Sequence, residues 1–175
     1  MRRIFWSQMV SLDGLSEGPD GELDWHAIDD DFMSYVHGML GKIDSILLGR
    51  VTYSYFAQYW PDANNAEATR MNELEKLVVS STLEKVEWQN SRLVKIEELA
   101  EIKRGPGRDI AIFGSSTLAS SLLELRLIDE LRIFTTPIVL GAGKPMIRGV
   151  GERVNLRHVD SRVLGSGVVM STFRT

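Results

Sequence analysis

The order in which strand-like and helix-like segments follow one another is the feature that most restricts the fold. Short apolar runs alternate with helical patterns from residue 2 to about residue 136, and strand-like segments then follow one another to the C-terminus. Such alternation is typical of a mostly parallel central sheet with helices on both faces. We therefore predict an α/β sandwich with antiparallel C-terminal strands. Because no repeat or low-complexity linker interrupts the pattern, we expect one domain over residues 1–175.

Apolar periodicity and turn residues give the expected bounds of each segment. The predicted strands cover residues 2–11, 44–49, 76–81, 109–116 and a long run from 128, with weaker signals at 86–88 and 92–94. The predicted helices cover residues 30–41, 52–59, 67–76, 95–104 and 116–127. Residues 12–30 are expected to form a loop, and a loop of this length in a compact domain is usually functional or disordered. Residues 155–165 and 167–175 are expected to form an antiparallel hairpin.

Composition excludes several classes of function. The formal net charge of −4 argues against broad nucleic-acid binding, which needs a basic surface, but it does not exclude a small anionic ligand. The absence of cysteine excludes disulfides, thiolate metal sites and a cysteine nucleophile, and the scattered histidines indicate no metal site. No stretch approaches the ~20 apolar residues of a membrane helix, and polar residues interrupt the N-terminal apolar run. We therefore expect a cytoplasmic protein without a membrane partner.

Two junctions between a strand and a helix share one pattern. An apolar strand ends at Gly49 in the first junction and at Gly114 in the second, and a helix is predicted to begin within three residues. A helix N-terminus attracts phosphate, glycine allows a close approach, and serine or threonine adds hydroxyl groups. Two such turns at the carboxyl ends of parallel strands suit a ligand with more than one phosphate, such as a dinucleotide. In the alternative interpretation, the glycines are only turn residues and the hydroxyl groups are ordinary caps.

The details of these turns favour NADPH over NADH, if the ligand is a nicotinamide dinucleotide. The GxGxxG fingerprint of a standard Rossmann site is missing. The strand at 76–81 ends in Ser80-Ser81-Thr82 and has no carboxylate before Glu84, so the acid expected on the ribose of NAD is also missing. Hydroxyl groups near Arg50 suit a 2′-phosphate, which an acid would repel.

Five segments, in order along nearly the whole chain, carry a resemblance to a known family. They are SLDG (11–14), LLGRVTY (47–53), VVSSTL (78–83), IFGSSTLASSLLE (112–124) and IDELRIFTTPIVLGAGKPMI (128–147). They resemble the bacterial deaminase-reductase C-terminal domain family, which comprises the reductase domain of riboflavin biosynthesis and its stand-alone relatives. That family is similar in fold to dihydrofolate reductase, so the resemblance implies a dihydrofolate reductase-like domain and a homodimer formed through the sheet region.

The resemblance also implies that three turns bind NADPH. The implied cofactor-binding residues are Gly49, Arg50, Thr52, Ser80, Ser81, Thr82, Gly114, Ser115, Ser116 and Thr117. One residue departs from the family pattern, because these folds usually carry Gly-Gly where this chain has Gly114-Ser115. The Ser115 side chain would either crowd the pyrophosphate or donate its hydroxyl group to it.

Three residues are candidates for the substrate side. Asp31 and Tyr35 are four residues apart and share a helix face. In dihydrofolate reductases an acid at the start of this helix orients the substrate, and Asp31 resembles it in placement. Asp13 follows the first strand, next to the expected nicotinamide position. The alternatives are that Asp29–Asp31 are solvated acids of a helix start and that Asp13 forms an Asp-Gly turn.

These observations together predict an NADPH-dependent reductase. It would transfer hydride to a small heterocyclic or carbonyl substrate, with Asp31 or Asp13 positioning or protonating the acceptor. One alternative is a non-catalytic member that keeps the fold as a ligand-binding or dimerising module. Another is a protein that binds a flavin or other nucleotide through the same phosphate turns.

Overall fold

The computed structural model describes all 175 residues and contains ten strands, five α-helices and a short 3₁₀ helix at Ile96–Glu98. The strands, numbered in chain order, are β1 (Ile4–Ser11), β2 (Leu15–Glu17), β3 (Ile43–Gly49), β4 (Glu75–Val79), β5 (Ser91–Val94), β6 (Asp109–Phe113), β7 (Glu130–Thr136), β8 (Lys144–Pro145), β9 (Arg157–Val163) and β10 (Val169–Arg174). The helices are α1 (Asp30–Leu40), α2 (Arg50–Tyr59), α3 (Ala66–Glu73), α4 (Leu99–Arg104) and α5 (Ser116–Glu124). No helix is both long enough and apolar enough to cross a membrane.

Eight strands form the central sheet in the order β5-β4-β3-β6-β1-β7-β10-β9. The six strands from β5 to β7 in this order are parallel to one another. Strand β10 runs antiparallel to both β7 and β9. The predicted fold class, a mostly parallel sheet with antiparallel C-terminal strands, is therefore confirmed.

Alternate residues of the strands face two separate apolar layers. In β1, Trp6 packs with Leu47, Ile112 and the α5 residue Leu122 on one face of the sheet. Phe5 packs on the other face, in a cluster to which α1, α2 and α3 contribute. Because helices cover both faces, the exposed ends of the parallel strands are the places where polar turns meet solvent.

The structure differs from the sequence prediction where strands are short or where a side chain takes their hydrogen bonds. The predicted loop 12–30 contains β2, which pairs with β8 in a separate two-stranded sheet too short to show periodicity. Residues 86–88 are not a strand. Their region is held instead by Tyr53, whose hydroxyl oxygen accepts the backbone N–H groups of Glu87 at 3.0 Å and Trp88 at 3.1 Å. Helix α2 begins at Arg50, two residues before the predicted start.

Candidate functional site

Three polar turns lie side by side at one edge of the sheet. Strands β4, β3 and β6 are neighbours and run parallel, so their carboxyl ends meet at this edge. The turn after β4 contains Ser80–Thr82, the turn after β3 leads into α2, and the turn after β6 leads into α5. The structure thus brings together the three segments that the sequence assigned to a dinucleotide.

Ser115 joins the second and third of these turns. Its Oγ accepts the backbone N–H of Gly49 at 3.0 Å and donates to Thr52 Oγ1 at 2.9 Å. Its backbone N–H donates to the same Thr52 oxygen at 3.2 Å. Trp6 also fixes the turn after β6, because its indole Nε1 donates to the carbonyl oxygen of Gly114 at 2.9 Å. The two turns therefore form one hydrogen-bonded unit, and the Ser115 side chain lies between them.

The backbone of the third turn explains why glycine precedes this serine. Gly114 and Ser115 have φ angles of +54° and +50°, two consecutive residues in the left-handed region. Glycine adopts this conformation freely, whereas it costs serine about 1–2 kcal/mol. Glycine at position 114 is thus favoured by the backbone conformation, and the hydrogen bonds of Ser115 offset the strain at position 115.

The helices that follow these two turns have open N-termini. Neither α2 nor α5 has a side-chain cap or an acidic residue in its first turn. In contrast, Asp29 caps α1 and Asn65 caps α3, and both of those helices carry acids in the first turn. The first-turn N–H groups of α2 and α5 and their positive dipole ends are therefore uncompensated, which is the arrangement that binds an anion.

Arg50 adds a cation without a protein partner to this edge. It is exposed at the first position of α2 and makes no ion pair or side-chain hydrogen bond. The acids Asp44 and Glu73 pair with other arginines, Arg2 and Arg70. The guanidinium group is thus available to an anionic ligand.

The turn after β4 presents hydroxyl groups and no carboxylate. Ser80 Oγ accepts the backbone N–H groups of Thr82 at 3.1 Å and Leu83 at 3.0 Å, which folds the strand end into a tight turn. Ser81 and Thr82 are exposed in that turn. Hydroxyl groups, a free guanidinium and open helix N-termini together are the donor set that fits phosphate groups.

Asp31 and its neighbour Asp29 hold the turn of the C-terminal hairpin. Asp31 Oδ2 accepts the backbone N–H of Gly165 at 2.9 Å. Asp29 caps α1 through Oδ1, and its Oδ2 accepts the backbone N–H of Ser166 at 2.6 Å. Neither acid is merely solvated, and each contributes one oxygen to fixing the β9–β10 turn against α1.

Asp13 anchors the segment that follows β7. Its carboxylate accepts the Ser11 hydroxyl at 2.7 Å and the backbone N–H groups of Leu140 at 3.1 Å and Gly141 at 2.8 Å. The Ser11 hydroxyl, followed by the two backbone donors, lowers the pKa of Asp13 to about 2. The group is therefore ionised near neutral pH and has no proton to donate there.

Tyr35 contacts a different part of the fold from Asp31. Its hydroxyl oxygen accepts from Arg132 Nη1 at 3.3 Å, and burial raises its pKa above the ordinary value. Arg132 is itself held by Glu130 at 2.7 Å and lies over the Phe5 ring, with its Cζ 3.7 Å from the ring centroid. Although Asp31 and Tyr35 are four residues apart on α1, Asp31 contacts the hairpin turn and Tyr35 contacts β7.

Comparison with known proteins decides the family. Residues 2–170 match the family model described as the RibD C-terminal domain. The chain belongs to the RibD C-terminal domain family. Members of this family are reductases, and the resemblance noted in the sequence is confirmed. The uncharacterized protein YyaP of Bacillus subtilis (strain 168) is 35% identical over 181 residues, which cover 98% of this chain and 94% of YyaP.

Solved structures confirm that this RibD C-terminal domain has a dihydrofolate reductase-like fold. A Shewanella sp. PV-4 structure, described as a riboflavin biosynthesis protein, matches with a TM-score of 0.79 and 22% identity over 98% of both chains. Dihydrofolate reductase from Enterococcus faecalis, complexed with NADP(H), matches with a TM-score of 0.69 and 15% identity over 98% of this chain and 95% of that one. At these identities the likeness concerns the fold.

Two contacts in this RibD C-terminal domain were missed by sequence reasoning. The link from Ser115 to Thr52 spans 63 residues, and only the departure from Gly-Gly indicated that position 115 was unusual. The contact of Arg132 with Tyr35 spans 97 residues. It has no local signal, because the two residues belong to separate elements, α1 and β7, that only the fold brings together.

Proposed function

We propose that the protein is an NADPH-dependent reductase that transfers hydride to a small heterocyclic or carbonyl substrate. The observation that carries the proposal is the pair of open helix N-termini, α2 and α5, joined through Ser115 and flanked by the unpartnered Arg50. Two anion sites at adjacent strand ends match a cofactor with a pyrophosphate and a further phosphate. Membership of a reductase family supports the same reading.

In this proposal each turn recognises a different part of the cofactor. The first-turn N–H groups of α2 and α5 bind the pyrophosphate, and Gly114 lets it approach the backbone. Arg50 binds the 2′-phosphate together with the hydroxyl groups of the Ser80–Thr82 turn, where no carboxylate repels it. The NADP(H) complex of a structural neighbour supports this choice of cofactor. Bound NADPH would supply the hydride.

The substrate-side residues have distinct proposed roles. Asp31 uses Oδ2 to hold Gly165, so its second oxygen orients an N–H group of the substrate. Asp13 is ionised and fixes the segment beside the first strand, which makes it a positioning residue. Tyr35 is the proposed proton donor, because a phenol is protonated at neutral pH and burial raises the pKa of this one further.

We also propose that the protein forms a homodimer through its C-terminal strands. Strand β9 is exposed along its whole length and pairs on only one side. Val163 and Val169 are partners in the β9–β10 register and remain 70% and 37% exposed. An open strand edge beside apolar side chains favours association with a second copy.

Cofactor titration tests the proposed activity directly. Purified protein is titrated with NADPH and with NADH, and nicotinamide fluorescence is followed together with energy transfer from the four tryptophans. We expect saturable binding of NADPH and clearly weaker binding of NADH. Absence of NADPH binding at about millimolar concentration would overturn the reductase proposal, and a parallel titration with a flavin tests the other nucleotide class.

A further inference from the structure

A polar cavity lies at the opposite edge of the sheet from the three turns. It has a volume of about 280 Å³ and lies where β1, β3 and β6 begin, beneath the C-terminal end of α1. Along β1, Phe5 in its wall and Ser11 at the other edge are six positions apart, which corresponds to about 20 Å. The cavity is therefore separate from the candidate cofactor site.

Four cationic side chains from four segments of the chain line this cavity. They are Arg3, Lys42, Arg108 and Arg132, and the apolar part of the wall includes Phe5. The sole acidic residue among the lining residues is Asp109. This concentration of positive charge stands out because the whole chain has a net charge of −4.

The carboxylates nearby neutralise two of the four cations. Asp109 Oδ2 accepts from Arg3 at 2.5 Å, and Glu130 Oε1 accepts from Arg132 at 2.7 Å. The remaining two cations, Lys42 and Arg108, have no carboxylate partner.

Lys42 and Arg108 keep donors free for a ligand. The Lys42 ammonium group makes no hydrogen bond, and the Arg108 guanidinium makes a single one, from Nη1 to the carbonyl oxygen of Gly41 at 2.9 Å. The backbone N–H of Arg108 donates to Asp44 at 2.8 Å and fixes the residue at the cavity. Two unneutralised cations that line one cavity repel each other, and a bound anion offsets that repulsion.

We propose that this cavity is a second ligand site, which binds a small organic anion through Lys42 and Arg108. The anionic group is a phosphomonoester or a carboxylate, since guanidinium and ammonium groups bind both. Its apolar part packs against the wall that contains Phe5. The volume lies just below the usual range of about 300–1,000 Å³ for drug-sized ligands, so the ligand is a small molecule. The site goes beyond the proposed reductase activity and does not depend on it.

Nuclear magnetic resonance of the full chain tests this site without an activity assay. Phenyl phosphate and benzoate are titrated separately into ¹⁵N-labelled protein, and backbone amide shifts are followed. We expect saturable shifts of the amide signals at 41–43 and 107–109 with at least one of the two probes. The tighter probe identifies whether phosphate or carboxylate is the preferred group. Inorganic phosphate, which lacks the apolar part, is expected to bind more weakly than phenyl phosphate.

A matched pair of double variants assigns the binding to these side chains. Lys42→Gln with Arg108→Gln should weaken the tighter probe by about tenfold or more, because two charge-assisted hydrogen bonds are lost. Arg126→Gln with Arg153→Gln removes the same net charge from exposed positions outside the cavity and should change the affinity less than about twofold. Equal weakening by both pairs would overturn the proposal. So would shifts confined to the turns at 49–52 and 114–117, or no saturable shift with either probe.

Discussion

Replacing Arg50 with alanine is expected to weaken NADPH binding and leave NADH binding unchanged. Arg50 is exposed and makes no side-chain hydrogen bond or ion pair that the substitution would break. Alanine is also a better helix former than arginine, so α2 should start as before. Any change in cofactor affinity therefore reports on the ligand contact itself rather than on damage to the fold.

The size of the effect follows from the exposure of the side chain. A hydrogen bond to a charged group contributes about 1.5–3 kcal/mol, which corresponds to a change in affinity between about tenfold and a hundredfold. Because Arg50 is exposed at the helix start, solvent screens the interaction, and we expect the lower end of this range, about tenfold. The loss should shrink as ionic strength rises from about 0.05 to about 0.5 M, since the Debye length falls to about 4 Å.

The assay is a fluorescence titration of wild type and variant with both cofactors at two salt concentrations. Arg153→Ala is the matched control, because Arg153 is also exposed and forms no ion pair. An equal loss for NADPH and NADH would show that Arg50 does not contact the 2′-phosphate. Unchanged NADPH affinity at low salt would refute the phosphate assignment altogether.

Two further predictions concern stability rather than binding. Ser115→Ala should lower the free energy of unfolding by about 1 kcal/mol, because it removes the two side-chain hydrogen bonds between the turns and keeps the strained backbone. Ser115→Gly loses the same bonds but relieves the strain, so urea denaturation should place it nearer to wild type; equal losses would disprove the strain argument. Because the folded pKa of Asp13, about 2, lies below its ordinary 3.8, wild type should lose stability as pH falls through this interval. Asp13→Asn should show a smaller loss in acid titrations followed by circular dichroism, and an identical acid profile would contradict the assignment.

Much of the fold followed from local pattern, because the signals involved lie within single segments. Apolar runs of four to eight residues marked the central strands, and helical spacing after the Asp29–Asp31 run marked α1, whose cap in the structure is Asp29. The pairing of β2 with β8 could not be predicted in this way, because the two strands have only three and two residues. Residues 86–88 carried a strand signal, but the Tyr53 hydroxyl takes the backbone donors that a ladder would need.

The candidate site was likewise predictable only in part. The three turns could be placed together from sequence, since parallel strands end at the same edge of a sheet. The partners of the acids could not be, because they come from distant segments. Asp13 reaches Gly141 across 128 residues, and Asp31 reaches Gly165 across 134 residues. Which groups donate protons depends on such contacts, and local spacing contains no information about them.

The Ser115 link changes which groups of the turns are left for a phosphate. The Gly49 N–H donates to Ser115 Oγ and the Ser115 N–H donates to Thr52, so two backbone donors of the turns are already used. A phosphate bound at this edge must therefore rely on the first-turn N–H groups of α2 and α5. The first-turn N–H groups lie roughly along the axis of their helix. The hydrogen bonds between Ser115 and Thr52 fix the starts of the two helices relative to each other. If NADPH binds as proposed, Ser115 acts by positioning the two helices, and Ser115→Gly should lower cofactor affinity even where it leaves stability unchanged.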